Sequence, residues 1–215
     1  MFRYASAARP IIGDPEFAIN TLPCGIQALD QLLPHGGFPI GRLTELSGSR
    51  SCGKLTIATA LCVNTLQRNQ LPVWIDGTRS FYPLPALEHN APLEHLLVIR
   101  PEKQLILKAA HILLRDGHTA ALVVIDLPFG CAIKQQQLAR LRLDAETSGS
   151  AILLLTENNK PANSLGTFVC LRLAMRRLGL CKIHVAITKS KLGKMALQTT
   201  INFDAPRLLH TDSTV

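Results

Sequence analysis

Two hydrophobic patterns alternate along most of this chain: short continuous apolar runs, and longer segments with apolar residues at helical spacing. The runs that predict buried strands are residues 42–47, 72–76, 96–100, 120–126 and 151–156. The segments that predict helices are residues 54–68, 102–115 and 134–147. This alternation is typical of the α/β class, with a mostly parallel central sheet flanked by helices.

The pattern changes near the C-terminus, where three strand-like segments follow one another with no helix between them. They cover residues 167–175, 180–188 and 195–203, and they predict an antiparallel β-meander on the edge of the parallel sheet. In the middle segment Lys182 and His184 alternate with apolar residues, so we expect one covered face and one polar, basic face.

The same patterns predict the domain organisation. A core domain is expected over residues 21–205, preceded by an N-terminal arm (residues 1–20) and followed by a flexible C-terminal tail (residues 206–215), because both ends show little periodicity.

Composition excludes several classes of protein. Of the 215 residues, 47% are hydrophobic and 18% are charged, which is unlike a disordered chain. No apolar run is long enough to span a membrane and no secretory signal follows Met1, so we expect a cytoplasmic protein without a membrane partner. The six cysteines form no CxxC pair and lie at no metal-ligand spacing, so we predict reduced thiols and no metal site.

Basic residues exceed acidic residues, and the excess points to an acidic partner. Lys and Arg number 23 against 15 Asp and Glu, for a net charge of +8. Seven basic residues fall on the meander and are candidates for contact with DNA or with an acidic protein surface: Arg172, Arg176, Arg177, Lys182, Lys189, Lys191 and Lys194. The alternative is a solvated strand face that contacts nothing.

A glycine-containing loop between the first long strand and the first long helix carries the clearest chemical signal. It fits the phosphate-loop pattern G-x-x-x-x-G-K with Gly48, Ser49, Arg50, Ser51, Cys52, Gly53 and Lys54. In such a loop backbone N–H groups surround a phosphate, and the lysine ammonium reaches the β- and γ-phosphates. Asp126 ends an apolar strand, where a Walker B carboxylate is expected.

The loop departs from this pattern at its magnesium-binding position. Leu55 stands where a Ser or Thr hydroxyl is needed, and Thr56 points about 100° further round the helix. Two interpretations stay open: residual ATP or ADP binding, or a glycine turn without a ligand. Cys52 is either a thiolate activated at a helix N-terminus or a small residue that the turn accepts.

Residues 25–33 and 36–48, together with the loop, resemble the bacterial RecA recombinase family. Further matches are residues 73–76, residues 123–126, and the meander pairs Arg172-Leu173 and Arg176-Arg177 with residues 188–191, so the resemblance covers about residues 22–203. It implies a RecA-like P-loop core. It also implies that Lys189 and Lys191 correspond to two lysines that act across subunits of a filament.

The departures from the family concern its hydrolytic residues. Thr78 stands where the family has the glutamate that polarises the attacking water, and a threonine hydroxyl cannot serve as that base near neutral pH. Tyr82 replaces an aspartate of the adenine-contacting segment, and Thr156-Glu157 replaces a polar Asn-Gln pair. The two loops that hold single-stranded DNA in the family are short here. We therefore predict no catalytic residue.

A shortened RecA-like core with these features resembles the ImuA-type proteins, RecA-related factors of damage-inducible mutagenesis. The resemblance implies a non-catalytic accessory protein of the SOS response, acting as an interaction subunit in error-prone translesion DNA synthesis. Its implied partners are the inactive Y-family polymerase-like protein of the same cassette, the error-prone replicative-type polymerase, RecA itself, and DNA through a weak contact.

Two alternatives stay open. One is a DNA-dependent ATPase of the RecA family, with Glu157 as the candidate carboxylate. The other is a cell-division inhibitor of the SulA type, although the retained Gly53-Lys54 pair favours the ImuA type.

Overall fold

The computed structural model of the chain describes residues 19–115, 120–157 and 165–203. Its helices are α1 (Gln27–Leu32), α2 (Lys54–Gln67), α3 (Leu84–Glu88), α4 (Ile106–Arg115) and α5 (Gln135–Ser148). Its strands are β1 (Thr21–Leu22), β2 (Phe38–Pro39), β3 (Leu43–Gly48), β4 (Leu71–Asp76), β5 (Leu97–Ile99), β6 (Ala120–Asp126), β7 (Ala151–Glu157), β8 (Leu171–Gly179), β9 (Lys182–Ser190) and β10 (Gln198–Asn202).

Strands β3 to β10 of the described residues form one sheet in the order β10-β9-β8-β3-β7-β6-β4-β5. The pairs from β8 to β5 are all parallel, whereas β9 and β10 add to β8 as antiparallel neighbours. Strands β1 and β2 pair separately. The predicted fold class, with a parallel sheet and a C-terminal antiparallel meander on its edge, is confirmed.

Each face of the sheet is covered by a layer of helix. On one face Leu46, Trp74 and Leu153 pack against the apolar stripe of α2, whose Ile57 and Leu61 are fully buried. On the other face the cluster that includes Val123 and Leu154 packs against α4 and α5. The helical spacing seen in the sequence therefore reports real core contacts, since residues one turn apart share a helix face.

The meander begins later than the sequence indicated. We expected a strand at residues 167–175, but Thr167 and Phe168 form a turn, and β8 continues through Arg176 and Arg177 to Gly179. The prediction was wrong because Phe168 and Val169 pack against the α4–α5 core from that turn, so their apolar character did not mark a strand. Strands β9 and β10 likewise begin two and three residues later than expected.

The predicted arm (residues 1–20) and tail (residues 206–215) lie outside the described residues, apart from residues 19 and 20. Within the part of the chain that the structure describes, no helix has the length and apolarity needed to cross a membrane.

Candidate functional site

The phosphate-like loop lies where the sequence placed it, between the end of β3 at Gly48 and the start of α2 at Lys54. Gly53 has a φ of +101°, in the left-handed region, and a Cβ there would overlap the Cδ1 atom of Ile183. A Cβ on Gly48 would lie 2.5 Å from the carbonyl oxygen of Met175. The loop therefore packs directly on β8 and β9, and side chains at these two positions would push it away.

The ammonium of Lys54 is turned back onto its own loop. Its Nζ donates hydrogen bonds of 2.8 Å to the carbonyl oxygens of Gly48 and Ser49, and it lies 3.6 Å from Sγ of Cys52. Both Lys54 and Cys52 are buried. The lysine therefore stabilises the loop conformation itself, and a bound phosphate would compete with two carbonyl acceptors for its protons.

Asp126, at the end of β6, is buried and accepts hydrogen bonds from two hydroxyls. Thr78 Oγ1 is one donor, and Ser80 Oγ is the other at 2.9 Å. Burial raises the pKa of this carboxyl, while the two hydroxyls oppose the rise. Thr78 is thus a hydrogen-bond donor to this carboxylate.

Sequence reasoning missed a second carboxylate, that of Asp76 at the end of β4. It pairs in register with Asp126 and is fully buried. Its oxygens accept from the backbone N–H of Ser80 at 2.9 Å and from Nε of Arg100 at 3.0 Å. Asp76 fixes the course of the segment that carries Thr78 and Ser80. Its position at the carboxyl end of a strand next to β6 was the signal that could have revealed it.

A cavity of about 740 Å³ opens beside the loop, and Thr78 and Ser80 are part of its lining. Its walls include Lys54 and Asp126, with Leu55 and Thr56 at the start of α2. Glu157 also lines it, and its carboxylate lies 3.4 Å from Nε of the exposed Arg50. The cavity can hold an anion near Lys54, but Leu55 contributes no oxygen ligand for a magnesium ion there.

The seven basic residues of the meander do not form a single cluster. Arg177 lines the loop cavity, whereas Arg172 pairs with the fully buried Glu45 at 2.6 Å. Three lysines donate to backbone carbonyls elsewhere: Lys189 to Gly166, Lys191 to Thr167, and Lys194 to Gln31 and Leu33.

Three of the seven, Arg176, Arg177 and Lys182, are exposed and make no hydrogen bond or ion pair within the described part of the chain. Arg176 lies opposite the half-buried His184 in the β8–β9 ladder. Lys182 is two residues before His184, on the same face of β9. The face of β9 that was predicted to be basic is therefore present, although it carries fewer free cations than the sequence suggested.

A glycine loop lies between the buried strand β3 and helix α2, and a carboxylate lies at the end of β6, two positions from β3 in the sheet. This arrangement defines a P-loop α/β domain. The chain belongs to the RecA N-terminal domain family, which matches residues 8–138. It is 30% identical over 166 residues to protein RecA of Francisella philomiragia, covering 74% of this chain and 46% of that protein. It is 32% identical over 125 residues to protein RecA of Bifidobacterium longum, covering 57% of this chain and 31% of that protein. The chain thus spans less than half the length of these curated relatives.

Proposed function

We propose that this RecA-family domain is a non-catalytic accessory protein of damage-inducible (SOS) mutagenesis, acting as an interaction subunit in error-prone translesion DNA synthesis. The observation that supports it best is the hydrogen bonding of Asp126 by the hydroxyls of Thr78 and Ser80. A hydrolytic site needs that region for a metal-bound phosphate and an activated water.

Three further features of the same site add to this support. Position 78 offers a hydroxyl, which is not a base near neutral pH. Leu55 offers no oxygen to a magnesium ion, and the ammonium of Lys54 is held by loop carbonyls. Each feature weakens a different requirement of phosphoryl transfer, so their combination favours loss of turnover over a modest reduction.

The proposed partners follow from the ImuA-type resemblance. They are the inactive Y-family polymerase-like protein of the mutagenesis cassette, the error-prone replicative-type polymerase, and RecA. A weak contact with DNA would use the exposed Arg176 and Lys182, because free cations bind the phosphate backbone without sequence preference.

The test is ATP hydrolysis by the purified chain with Mg²⁺, with and without single-stranded DNA, beside a Lys54→Ala variant whose folding is checked by circular dichroism. We expect no turnover above that variant. A parallel gel-filtration experiment asks whether the chain co-elutes with the polymerase-like partner. DNA-stimulated turnover that disappears in Lys54→Ala, or failure to co-elute, would contradict the proposal.

One observation favours a second candidate, a DNA-dependent ATPase with an atypical base. Glu157 lines the same cavity as Lys54 and Asp126, and its only observed partner among the described residues is the exposed Arg50. If turnover is found, Glu157→Gln should remove it, whereas Glu146→Gln on α5 should leave it unchanged. Equal turnover in Glu157→Gln and the wild type would eliminate this carboxylate as the base.

A further inference from the structure

The hairpin that joins β8 to β9 extends beyond the neighbouring strand β3. Strand β8 runs parallel to β3, and the last residues that the two strands pair are Ser47 and Ala174. Beyond that point β8 pairs only with β9. Residues 176–180 are all exposed, and we call residues 176–182 the hairpin tip.

Two leucines of the hairpin tip are exposed. Leu180 lies in the turn and is 84% exposed, and Leu178 is 49% exposed. Leu178 falls at an irregularity of the β8–β9 ladder and has no partner residue across it. A turn does not need apolar side chains, since Gly, Asn, Asp and Ser are the residues that turns favour. These leucines therefore contribute little to the core, and they offer apolar surface that a partner can cover.

The charge around these leucines has a single sign. Residues 165–203 contain no Asp or Glu but carry seven Lys and Arg. Three of the seven, Arg176, Arg177 and Lys182, belong to the hairpin tip and are exposed, without an ion pair in the described part of the chain. An acidic partner is attracted to this surface, whereas two copies of the chain docked tip to tip would place like charges together.

The leucines favour a protein partner over nucleic acid. The phosphates of DNA are bound by cations, hydroxyls and backbone N–H groups, and leucine offers none of these. In protein interfaces, by contrast, apolar side chains are buried at the centre and charged groups lie at the rim. The hairpin tip has this order along the chain, because Leu178 and Leu180 lie between Arg177 and Lys182.

We propose that the hairpin tip binds an acidic segment of a partner protein. Leu178 and Leu180 contact an apolar side chain of that segment, and the three cations of the tip pair with its carboxylates. This inference rests on the proposed role as an interaction subunit, and it adds the surface and the chemistry of the partner.

The test uses the full chain and a short fluorescent peptide in which Asp and Glu surround one Leu and one Phe. One comparison peptide has Ser in place of Leu and Phe, and another has Asn and Gln in place of the acids. Fluorescence anisotropy measures the affinities. We expect the acidic, apolar peptide to bind at least about tenfold more tightly than either comparison peptide, because only it supplies both kinds of contact.

The decisive variant is Leu178→Ser combined with Leu180→Ser, which should weaken binding of the acidic, apolar peptide at least about tenfold. The matched control is Leu143→Ser on α5, where the leucine is 53% exposed, and it should bind the peptide as wild type does. If the double variant does not fold, Leu180→Ser alone gives the comparison, since this side chain is the more exposed of the two.

A second pair of variants tests the charges. Arg176→Gln combined with Lys182→Gln should weaken peptide binding, whereas Lys103→Gln combined with Lys108→Gln removes the same net charge from exposed positions elsewhere and should not. Equal weakening in both would mean that only the net charge of the chain matters, which would overturn the proposal.

Three further results would overturn it: equal binding of the peptide that lacks Leu and Phe, equal affinities of the leucine double variant and Leu143→Ser, or tighter binding of single-stranded oligothymidylate than of the acidic peptide. The proposed function fails separately. If the chain does not co-elute with the polymerase-like protein but binds the peptide through the tip, the function is wrong and this inference stands. If the leucine double variant co-elutes as wild type does, the inference is wrong and the function stands.

Discussion

The hydroxyl of Thr78 donates a hydrogen bond to the carboxylate of Asp126 across the carboxyl ends of the neighbouring strands β4 and β6. Ser80 donates a second hydrogen bond to the same oxygen at 2.9 Å. In a nucleotide-hydrolysing site, a carboxylate at this place faces the metal ion and water. Here two protein hydroxyls hydrogen-bond to the carboxylate instead. This geometry makes Asp126 a structural partner of the 78–80 segment.

The raised pKa of Asp126 predicts a specific pH dependence of stability. Burial is its main cause, and a raised carboxyl pKa means that the folded state holds this proton more tightly than the unfolded state. Between the ordinary and the raised pKa, the free energy of unfolding therefore falls as the pH rises. Asp126→Asn removes this titrating group, while the new amide still pairs with the two hydroxyls. The stability of the variant relative to wild type should therefore increase from pH 3 to pH 7.

Urea denaturation of wild type and Asp126→Asn at several pH values measures the difference between their free energies of unfolding. Taking this difference cancels the titration of all groups that the two proteins share. Glu94→Gln, at an exposed position, is the control and should track the wild type across the range. A difference between Asp126→Asn and wild type that is constant with pH, or that falls as the pH rises, would show that burial does not dominate at Asp126.

Lys54 is predicted to stabilise the fold without any ligand. Lys54→Ala removes two charge-assisted hydrogen bonds to the carbonyls of Gly48 and Ser49, so we expect a loss of about 1–3 kcal/mol in the free energy of unfolding. For a chain of this size each kcal/mol lowers the melting temperature by about 2–4 °C.

The matched control is Arg50→Ala in the same loop, whose side chain is 83% exposed and whose ion pair with Glu157 is long. Exposed pairs contribute little, so this variant should change stability by less than about 0.5 kcal/mol. Thermal unfolding by circular dichroism compares the two. Equal losses in both variants would mean that the buried ammonium has no special structural role.

Sequence could locate the loop and Asp126 because each lies at the end of a strong apolar run, and the strand, loop and helix are adjacent in the chain. It could not reveal how Ile183 and Arg177 approach the loop, because these contacts depend on β8 pairing with β3, more than one hundred residues earlier in the chain, and on β9 pairing with β8. The six-residue helix α1 was missed since its single turn and a half gives too few positions for a periodic signal. Long-range pairing thus limited the prediction of the site.

One such long-range contact leads to a test on Gly53. A Cβ at this position would overlap Cδ1 of Ile183, and the φ of +101° disfavours any side chain. Gly53→Ala should therefore lower the free energy of unfolding by about 1–3 kcal/mol, in addition to the loss caused by backbone strain. Gly130→Ala is the matched control: its φ is also positive, at +69°, but its Cβ would meet nothing within 4 Å. We expect that control to lose only about 1 kcal/mol.

Ile183→Val deletes the overlapping Cδ1 atom and closes a double-mutant cycle. If the clash is real, the double variant Gly53→Ala with Ile183→Val should be more stable than the two separate losses predict, by about 0.5–3 kcal/mol. Urea denaturation of the four proteins measures the coupling. Strict additivity would show that the loop shifts away from β9 without cost.

The buried ion pair of Glu45 and Arg172 gives the last prediction. Nε of Arg172 donates to Glu45 at 2.6 Å, Thr156 donates to the other carboxylate oxygen at 2.8 Å, and Glu45 is fully buried. Arg172→Met leaves that carboxylate without its countercharge, so we expect a loss of about 3–5 kcal/mol. Adding Glu45→Gln to Arg172→Met should restore part of the lost stability, because the buried charge is then gone.

The control is an ion pair at the surface. The exposed carboxylate of Glu146 pairs with Arg42, and Glu146→Gln should leave the denaturation midpoint unchanged. Similar midpoints for Arg172→Met and Glu146→Gln would mean that water reaches Glu45.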